Sequence, residues 1–245
     1  MYNCVENTDF RGKSCSVCGI GISNYPLIDF LLSRGASVDA RDRKSEAELS
    51  CAAALRGRGV ELRCGEDYLD DIEEDYIFRA PGIRYDVPGF VRAVERGSIL
   101  TSEMQLFFEL CPCRIIGITG SDGKTTTTTL ISKILEAAGY RVFVGGNIGR
   151  PLLPELGNMT ENDYAVVELS SFQLHTMTLS PDIAVVTNIS PNHLNYHKGM
   201  EEYIAAKENI FTHMRPGGRL VLNAENDYTR DMANRAAEGT NLLFF

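Results

Sequence analysis

The string Gly120-Ser121-Asp122-Gly123-Lys124-Thr125-Thr126 holds the residue types that most directly suggest chemistry. It follows a β-branched run, Arg114–Thr119, and opens a helical stretch, Lys124–Ala138. In that context backbone amides and a helix N-terminus cradle phosphates. Lys124 would neutralise charge at the β/γ-phosphates, and the Thr125 hydroxyl would ligate Mg²⁺. The match to G-x-x-x-x-G-K-[ST] is imperfect, because its first glycine falls at Ile118. An ATP or GTP site is the functional reading, and a structural turn is the alternative. A second string, Gly19-Ile-Gly21-Ile-Ser23-Asn24, sits between an expected strand and helix. Asn24 stands there in place of the third glycine of a dinucleotide fingerprint. Asp42, at the end of the next strand, can accept a ribose hydroxyl, and Arg43 and Lys44 beside it add positive charge. A nucleotide site and a tight βα turn are both open readings of this second string.

Both strings require strands to aim them and helices to follow them. Short apolar runs alternate with amphipathic stretches along the chain, the pattern of βα units on a parallel sheet. Strands are expected at Ser14–Gly19, Ser37–Ala40, Val60–Cys64 and Tyr76–Ala80, with helices at Tyr25–Arg34, Ser45–Arg56 and Pro88–Arg96. A second series has helices at Glu103–Leu110, Lys124–Ala138 and Met200–His213. Its strands are expected at Arg114–Thr119, Arg141–Val144, Tyr164–Leu169, Ile183–Thr187 and Arg219–Asn223. The expected architecture is therefore α/β: a Rossmann-like domain over 1–101, then a P-loop-type, mostly parallel α/β domain over 102–245.

Composition narrows the class. The chain has 245 residues, 24 basic and 33 acidic, for a net charge of −9, and is 44% hydrophobic. That apolar share is enough to build a core and argues against disorder. The acidic balance argues against broad nucleic-acid binding, yet local backbone donors can still hold a small anion. No run of about 20 apolar residues is present to span a membrane, and MYNCVENTDFRGKS lacks the basic start and apolar run of a leader. Seven cysteines fit a reducing, cytoplasmic setting better than a disulfide scaffold. Cys15 and Cys18, three apart on a strand, point to opposite faces, so a shared metal is not expected. Cys111-Pro112-Cys113 is better placed but lacks a second ligand pair.

Five strings in order carry a resemblance. The loop Thr119-Gly-Ser-Asp-Gly-Lys-Thr-Thr126 is followed by Gly145-Gly-Asn147-Ile-Gly149 and Glu168-Leu-Ser-Ser-Phe-Gln173-Leu. Then come Asn188-Ile-Ser-Pro-Asn192-His193-Leu-Asn195-Tyr-His197 and Glu201-Glu-Tyr-Ile-Ala-Ala-Lys207. Together with Ala80-Pro-Gly-Ile83, these closely resemble the Mur ligase family. The resemblance implies an ATP-dependent amide ligase of peptidoglycan precursor synthesis, adding D-glutamate to UDP-N-acetylmuramoyl-L-alanine through an acyl phosphate. A sister ligase of the family, a folylpolyglutamate-type ligase or a non-catalytic nucleotide-binding fragment are the alternatives.

The resemblance also implies residue roles. Residues 120–126 bind ATP, and Lys124, His193 and Lys207 carry catalysis. Thr125 and Glu168 hold one Mg²⁺, while His193 and a carbamylated Lys207 help hold a second; an unmodified Lys207 contacting phosphate and a Glu168 bonded to local backbone are the alternatives. Ile22, Ser23, Asp42 and Arg43 would bind the uridine and pyrophosphate of the substrate, and Asn147 and Gln173 its muramoyl-alanyl part. Asn192 and Asn195 stand where acidic residues often appear in the family, and His175, His197 and His213 read as structural. The chain is expected to act as a monomer, without nucleic-acid partners or membrane insertion. Its apolar end, Asn241–Phe245, reads as a cut, with a C-terminal amino-acid-binding domain expected and absent, so that the chain alone would be inactive.

Overall fold

The computed structural model describes residues 9–245; the first eight residues, which open the segment read above for a leader, lie outside the described residues. The chain divides into two units, Met1–Leu106 and Phe107–Phe245.

In the first unit the strands are β1 (Ser14–Cys18), β2 (Ser37–Asp42), β3 (Glu61–Cys64), β4 (Tyr76–Arg79) and β5 (Ile99–Thr101). The helices are α1 (Asn24–Ser33), α2 (Ala52–Gly57) and α3 (Pro88–Glu95). The sheet order is β3-β2-β1-β4-β5, and every pairing is parallel. Central β1 is buried along nearly its whole length, as a strand covered by helices on both faces must be. Cys18, Ile72, Ile77, Phe90, Ala93 and Leu100 form one core cluster of this unit.

Two expectations for this unit are corrected. Ser45–Arg56 is not one helix. The Ser45 amide and hydroxyl both donate to Glu48 Oε2, at 2.9 and 2.6 Å, closing a capping box around a single 3₁₀ turn at Glu46–Glu48. Leu49 then leaves helical geometry (φ −92°, ψ 102°) with its side chain buried, and α2 begins only at Ala52. Ile99–Thr101, which carried no expected element, is the edge strand β5, paired with Tyr76–Phe78 of β4.

Helix α4 (Glu103–Leu110) leads to the second unit's strands: β6 (Arg114–Thr119), β7 (Val142–Gly146), β8 (Tyr164–Glu168), β9 (Ile183–Val186), β10 (Arg219–Leu222) and β11 (Asn241–Phe244). Among them lie α5 (Lys124–Ala137), the four-residue α6 (Ser171–Leu174), α7 (Met200–Thr212) and α8 (Asp227–Met232). The order β11-β10-β9-β6-β8-β7 is again wholly parallel. Ile116, Ile118, Val166 and Val185 fill the core beside β6, against half-buried Ile131 and Leu135 of α5.

In each sheet the chain winds one way from the central strand and later returns to build the other side. The reversal falls between β1 and β4 in the first sheet and between β6 and β9 in the second. Outside the carboxyl ends of strands at such a point, open α/β sheets leave a crevice for ligands. Both glycine strings sit there.

Candidate nucleotide-binding site

In the second unit β6 ends at Thr119, and the chain turns through Gly120 (φ 147°) and Gly123 (φ 77°) into α5. A Cβ on Gly120 would lie 1.9 Å from Thr187 Oγ1, so only glycine fits that turn. The loop is clamped from β9. The Ser121 amide donates to Asn188 O at 2.9 Å and the Asp122 amide to Asn188 Oδ1 at 3.0 Å, while Thr187 Oγ1 donates to Asp122 O at 2.6 Å. Buried Ser121 meets Tyr203 Oη at 2.9 Å, which ties the loop to α7. Gly123 is the N-cap of α5 and has no side chain to cap it, so the first amides of this 14-residue helix are left for a ligand. Lys124 follows directly, and Thr125 and Thr126 are exposed on the first turn.

Two amines converge on one oxygen of this loop. Lys124 Nζ donates to Gly120 O at 2.9 Å, and Lys207 Nζ donates to the same oxygen at 2.8 Å and to Thr119 Oγ1 at 3.3 Å. Lys207 is 2% exposed and lies 4.9 Å from the centre of the Tyr203 ring. Burial, then repulsion from Lys124, brings its pKa down to about 7, with Glu168 opposing. Glu168, buried at the end of β8, accepts from Thr125 Oγ1 at 2.7 Å and from Asn147 Nδ2 at 2.9 Å. Asn147 is placed there by Gly146 (φ 96°), where a Cβ would lie 2.2 Å from Glu168 O.

Other expected site residues stand nearby in the same unit. Buried Gln173 closes a capping box with Ser170, whose amide donates to Gln173 Oε1 at 2.9 Å. His193, in the left-handed region at φ 54°, is exposed and lies against the Phe172 ring at 4.9 Å. Burial, Lys207 and Lys124 together hold its pKa below the ordinary value. His197 is buried and shares a 2.9 Å hydrogen bond between Nε2 and Ser171 Oγ.

This donor set can be tested for fit to a hard cation. Thr125 and Glu168 bring a hydroxyl and a carboxylate oxygen together at a helix N-terminus, as Mg²⁺ prefers. Lys207 as an amine donates to two oxygens and is no metal ligand in that form. His193 and Lys207 would form a donor set only with Lys207 as a carbamate. Thr119, Thr187, Asn188 and Tyr203 are not among the expected site residues. One signal was available: Tyr203 precedes Lys207 by four residues, one helical turn.

In the first unit Gly19 (φ 85°) follows β1, and a Cβ there would lie 2.7 Å from the Ala80 Cβ. Asn24 replaces the third glycine by donating from Nδ2 to Gly19 O at 2.9 Å, bracing the start of α1 on the loop. Asp42 accepts from the Ile20 amide at 2.7 Å through Oδ2 and from the Lys44 amide at 2.9 Å through Oδ1. Ser23 makes no capping bond to α1, Ile22 is 83% exposed and Arg43 is exposed.

A parallel α/β unit with a glycine loop at its switch point, an uncapped helix and paired lysines has the architecture of a P-loop-type protein. The Mur ligase middle domain family matches residues 118–245. The chain belongs to the Mur ligase family. It is 52% identical over 228 residues to the UDP-N-acetylmuramoylalanine–D-glutamate ligase of Acetivibrio thermocellus, covering 92% of this chain and 49% of that protein. It is 53% identical over 226 residues to the ligase of the same name from Clostridium kluyveri, covering 91% of this chain and 49% of that protein. The chain spans about half the length of the curated relatives it matches. Among solved structures it shares its fold with the UDP-N-acetylmuramate:L-alanyl-gamma-D-glutamyl-meso-diaminopimelate ligase of Neisseria meningitides (TM-score 0.61, 18% identity, 95% of this chain and 78% of that one). UDP-N-acetylmuramate-alanine ligase of Thermotoga maritima is similar at TM-score 0.53 and 23% identity, over 94% of this chain and 53% of that one.

Proposed function

We propose that this chain supplies the uridine-nucleotide and ATP sites of a cytoplasmic, monomeric ligase that joins D-glutamate to UDP-N-acetylmuramoyl-L-alanine. The observation that carries the reading is the convergence of Lys124 and Lys207 on Gly120 O, beside an uncapped helix and the Thr125–Glu168 pair. Six free cysteines among the described residues accord with a reducing compartment. The alternative of a non-catalytic nucleotide module accounts for the loop but not for the buried second lysine and carboxylate.

The reaction turns the alanyl carboxylate into an acyl phosphate with release of ADP. The amine of D-glutamate then attacks the carbonyl carbon, and the tetrahedral intermediate expels phosphate. Two anions must meet in the first step, so positive charge has to be in place before they do. Within residues 120–126 the amides that open α5 hold the triphosphate, those of Ser121 and Asp122 being held by Asn188, and Lys124 exchanges its carbonyl partners for phosphate oxygens. Glu168 and Thr125 would hold one Mg²⁺, and His193 with Lys207 as a carbamate a second; these ions, when bound, would offset the repulsion between carboxylate and phosphate. Lys207, with its proton weakly held, suits the uptake of CO₂ that a carbamate requires. Asn147 and Gln173 orient the muramoyl-alanyl part, while Ile22, Ser23, Asp42 and Arg43 take the uridine diphosphate.

Two measurements test this. Calorimetry on this chain should show Mg²⁺-dependent ATP binding that Lys124→Ala removes. A protein joining this chain to the remaining length of its relatives should release phosphate from ATP only with both UDP-N-acetylmuramoyl-L-alanine and D-glutamate. Phosphate release that answers to a different amino acid would overturn the assignment, and ATP binding indifferent to Lys124 would overturn the site.

A further inference from the structure

At the opposite end of the second sheet from the glycine loop, the link between α4 and β6 carries Cys111, Pro112 and Cys113. The Cys111 and Cys113 sulfurs lie 3.4 Å apart. Both residues line an open cavity of about 740 Å³, large enough to admit a tripeptide-sized molecule. The sulfurs need approach by only about 1.4 Å to reach the disulfide bond length of ~2.05 Å. Pro112 between them has no N–H, so closing the pair breaks no backbone hydrogen bond at that residue.

We propose that Cys111 and Cys113 form a reversible dithiol/disulfide modification site, oxidised by a low-molecular-weight disulfide that enters through this cavity. The Cys113 thiolate attacks one sulfur of the small disulfide, whose S–S bond breaks and whose leaving thiolate takes up a proton. Cys111 loses its proton and attacks the Cys113 sulfur of the mixed disulfide, and the second small thiol leaves. The protein dithiol gives up two electrons and two protons, and one small disulfide becomes two thiols. The hydrogen bond the two sulfurs share holds the Cys113 thiol below its ordinary pKa and, with burial, pushes Cys111 up, which favours Cys113 as the first attacker. Cys15 and Cys18, in β1, are instead pushed up to about 12.

The test exposes the native chain to stepped ratios of reduced and oxidised glutathione, traps free thiols by alkylation and digests with trypsin. Gly97–Arg114 has no internal Lys or Arg, so one peptide reports both cysteines. The expected result is joint loss of both alkylation sites, a peptide lighter by two hydrogens, and full recovery with excess reduced glutathione. Cys111→Ala should instead trap a glutathione adduct on Cys113. The proposal fails if the wild-type peptide stays fully alkylatable across the series. It fails equally if that peptide gains separate glutathione adducts without an internal bond.

Discussion

The two glycine loops of this chain share a backbone plan and differ in what surrounds it. Each follows the inner strand at a switch point of a parallel sheet and leads into a helix that no side chain caps. Each begins with a glycine at positive φ, Gly19 or Gly120, where a Cβ would strike a neighbour. The surroundings then diverge. At Gly120 two lysines and a buried carboxylate reach the loop from α5, α7 and β8. At Gly19 the nearest acid, Asp42, is bound to loop amides, and the buried guanidinium of Arg79 donates to Ala80, Pro81 and Ile83 carbonyls. On the reading proposed above, one turn geometry would serve two tasks: leaving the amides that open a helix to an anion, and, where charges are added, preparing an anion to react.

The largest effect that can break this comparison belongs to Lys207, because only the second loop buries an amine. Folded, Lys207 gives up its proton near pH 7; unfolded, it keeps it to about pH 10.5. Between these values the unfolded chain binds more protons, so stability rises with pH, and the burial penalty is greatest below pH 7. Relative to Lys207→Met in CO₂-free buffer, the wild type should gain on the order of 4 kcal/mol across that window. Urea midpoints of both proteins near pH 6 and pH 10 measure it, and a gap flat with pH would show that the amine is not held neutral.

The next effect compares glycines. Gly120→Ala forces a methyl against Thr187 at a φ that L-residues avoid, and should cost about 3 kcal/mol. Gly21→Ala in the first loop meets nothing within 4 Å at an ordinary φ, so it should change stability by less than about 1 kcal/mol. Equal losses in thermal unfolding would mean that Gly21 is held as tightly as Gly120. Lys124→Ala comes next: Mg²⁺–ATP affinity should fall about a hundredfold, near 2.7 kcal/mol, with uridine-nucleotide affinity unchanged. Calorimetry with each nucleotide checks the separation, and a parallel loss of both would merge the two sites.

Much of this was legible in the residues. β-branched runs such as Arg114–Thr119 and Tyr164–Glu168 are buried strands because their apolar content leaves no other place for them. The short edge strand Ile99–Thr101 was missed because three residues carry almost no periodic signal. Ser45–Arg56 misled because a helical spacing of apolar residues cannot reveal that Ser45 and Glu48 close a turn upon themselves. The loop and its lysine could be read locally. The clamp from Thr187 and Asn188 could not, since it depends on β9 lying beside β6. A single sequence states strands without stating neighbours, and this site is built from neighbours.

The smallest effect bears on the first loop, where Asp42 has two candidate roles. Its Oδ2 and Oδ1 already accept from the Ile20 and Lys44 amides, but each carboxylate oxygen has a second lone pair for a ribose hydroxyl. Asp42→Asn keeps one acceptor oxygen and turns the other into a donor, so one of those amides loses its partner, at about 1 kcal/mol of stability. If Asp42 also holds the sugar, uridine-nucleotide affinity should fall about tenfold, more than the loosened loop alone would account for. If stability drops while affinity stays, Asp42 is a brace, and the anion is held by loop amides alone. The contrast between the loops would then sharpen, with one site of pure backbone and one completed by charged side chains.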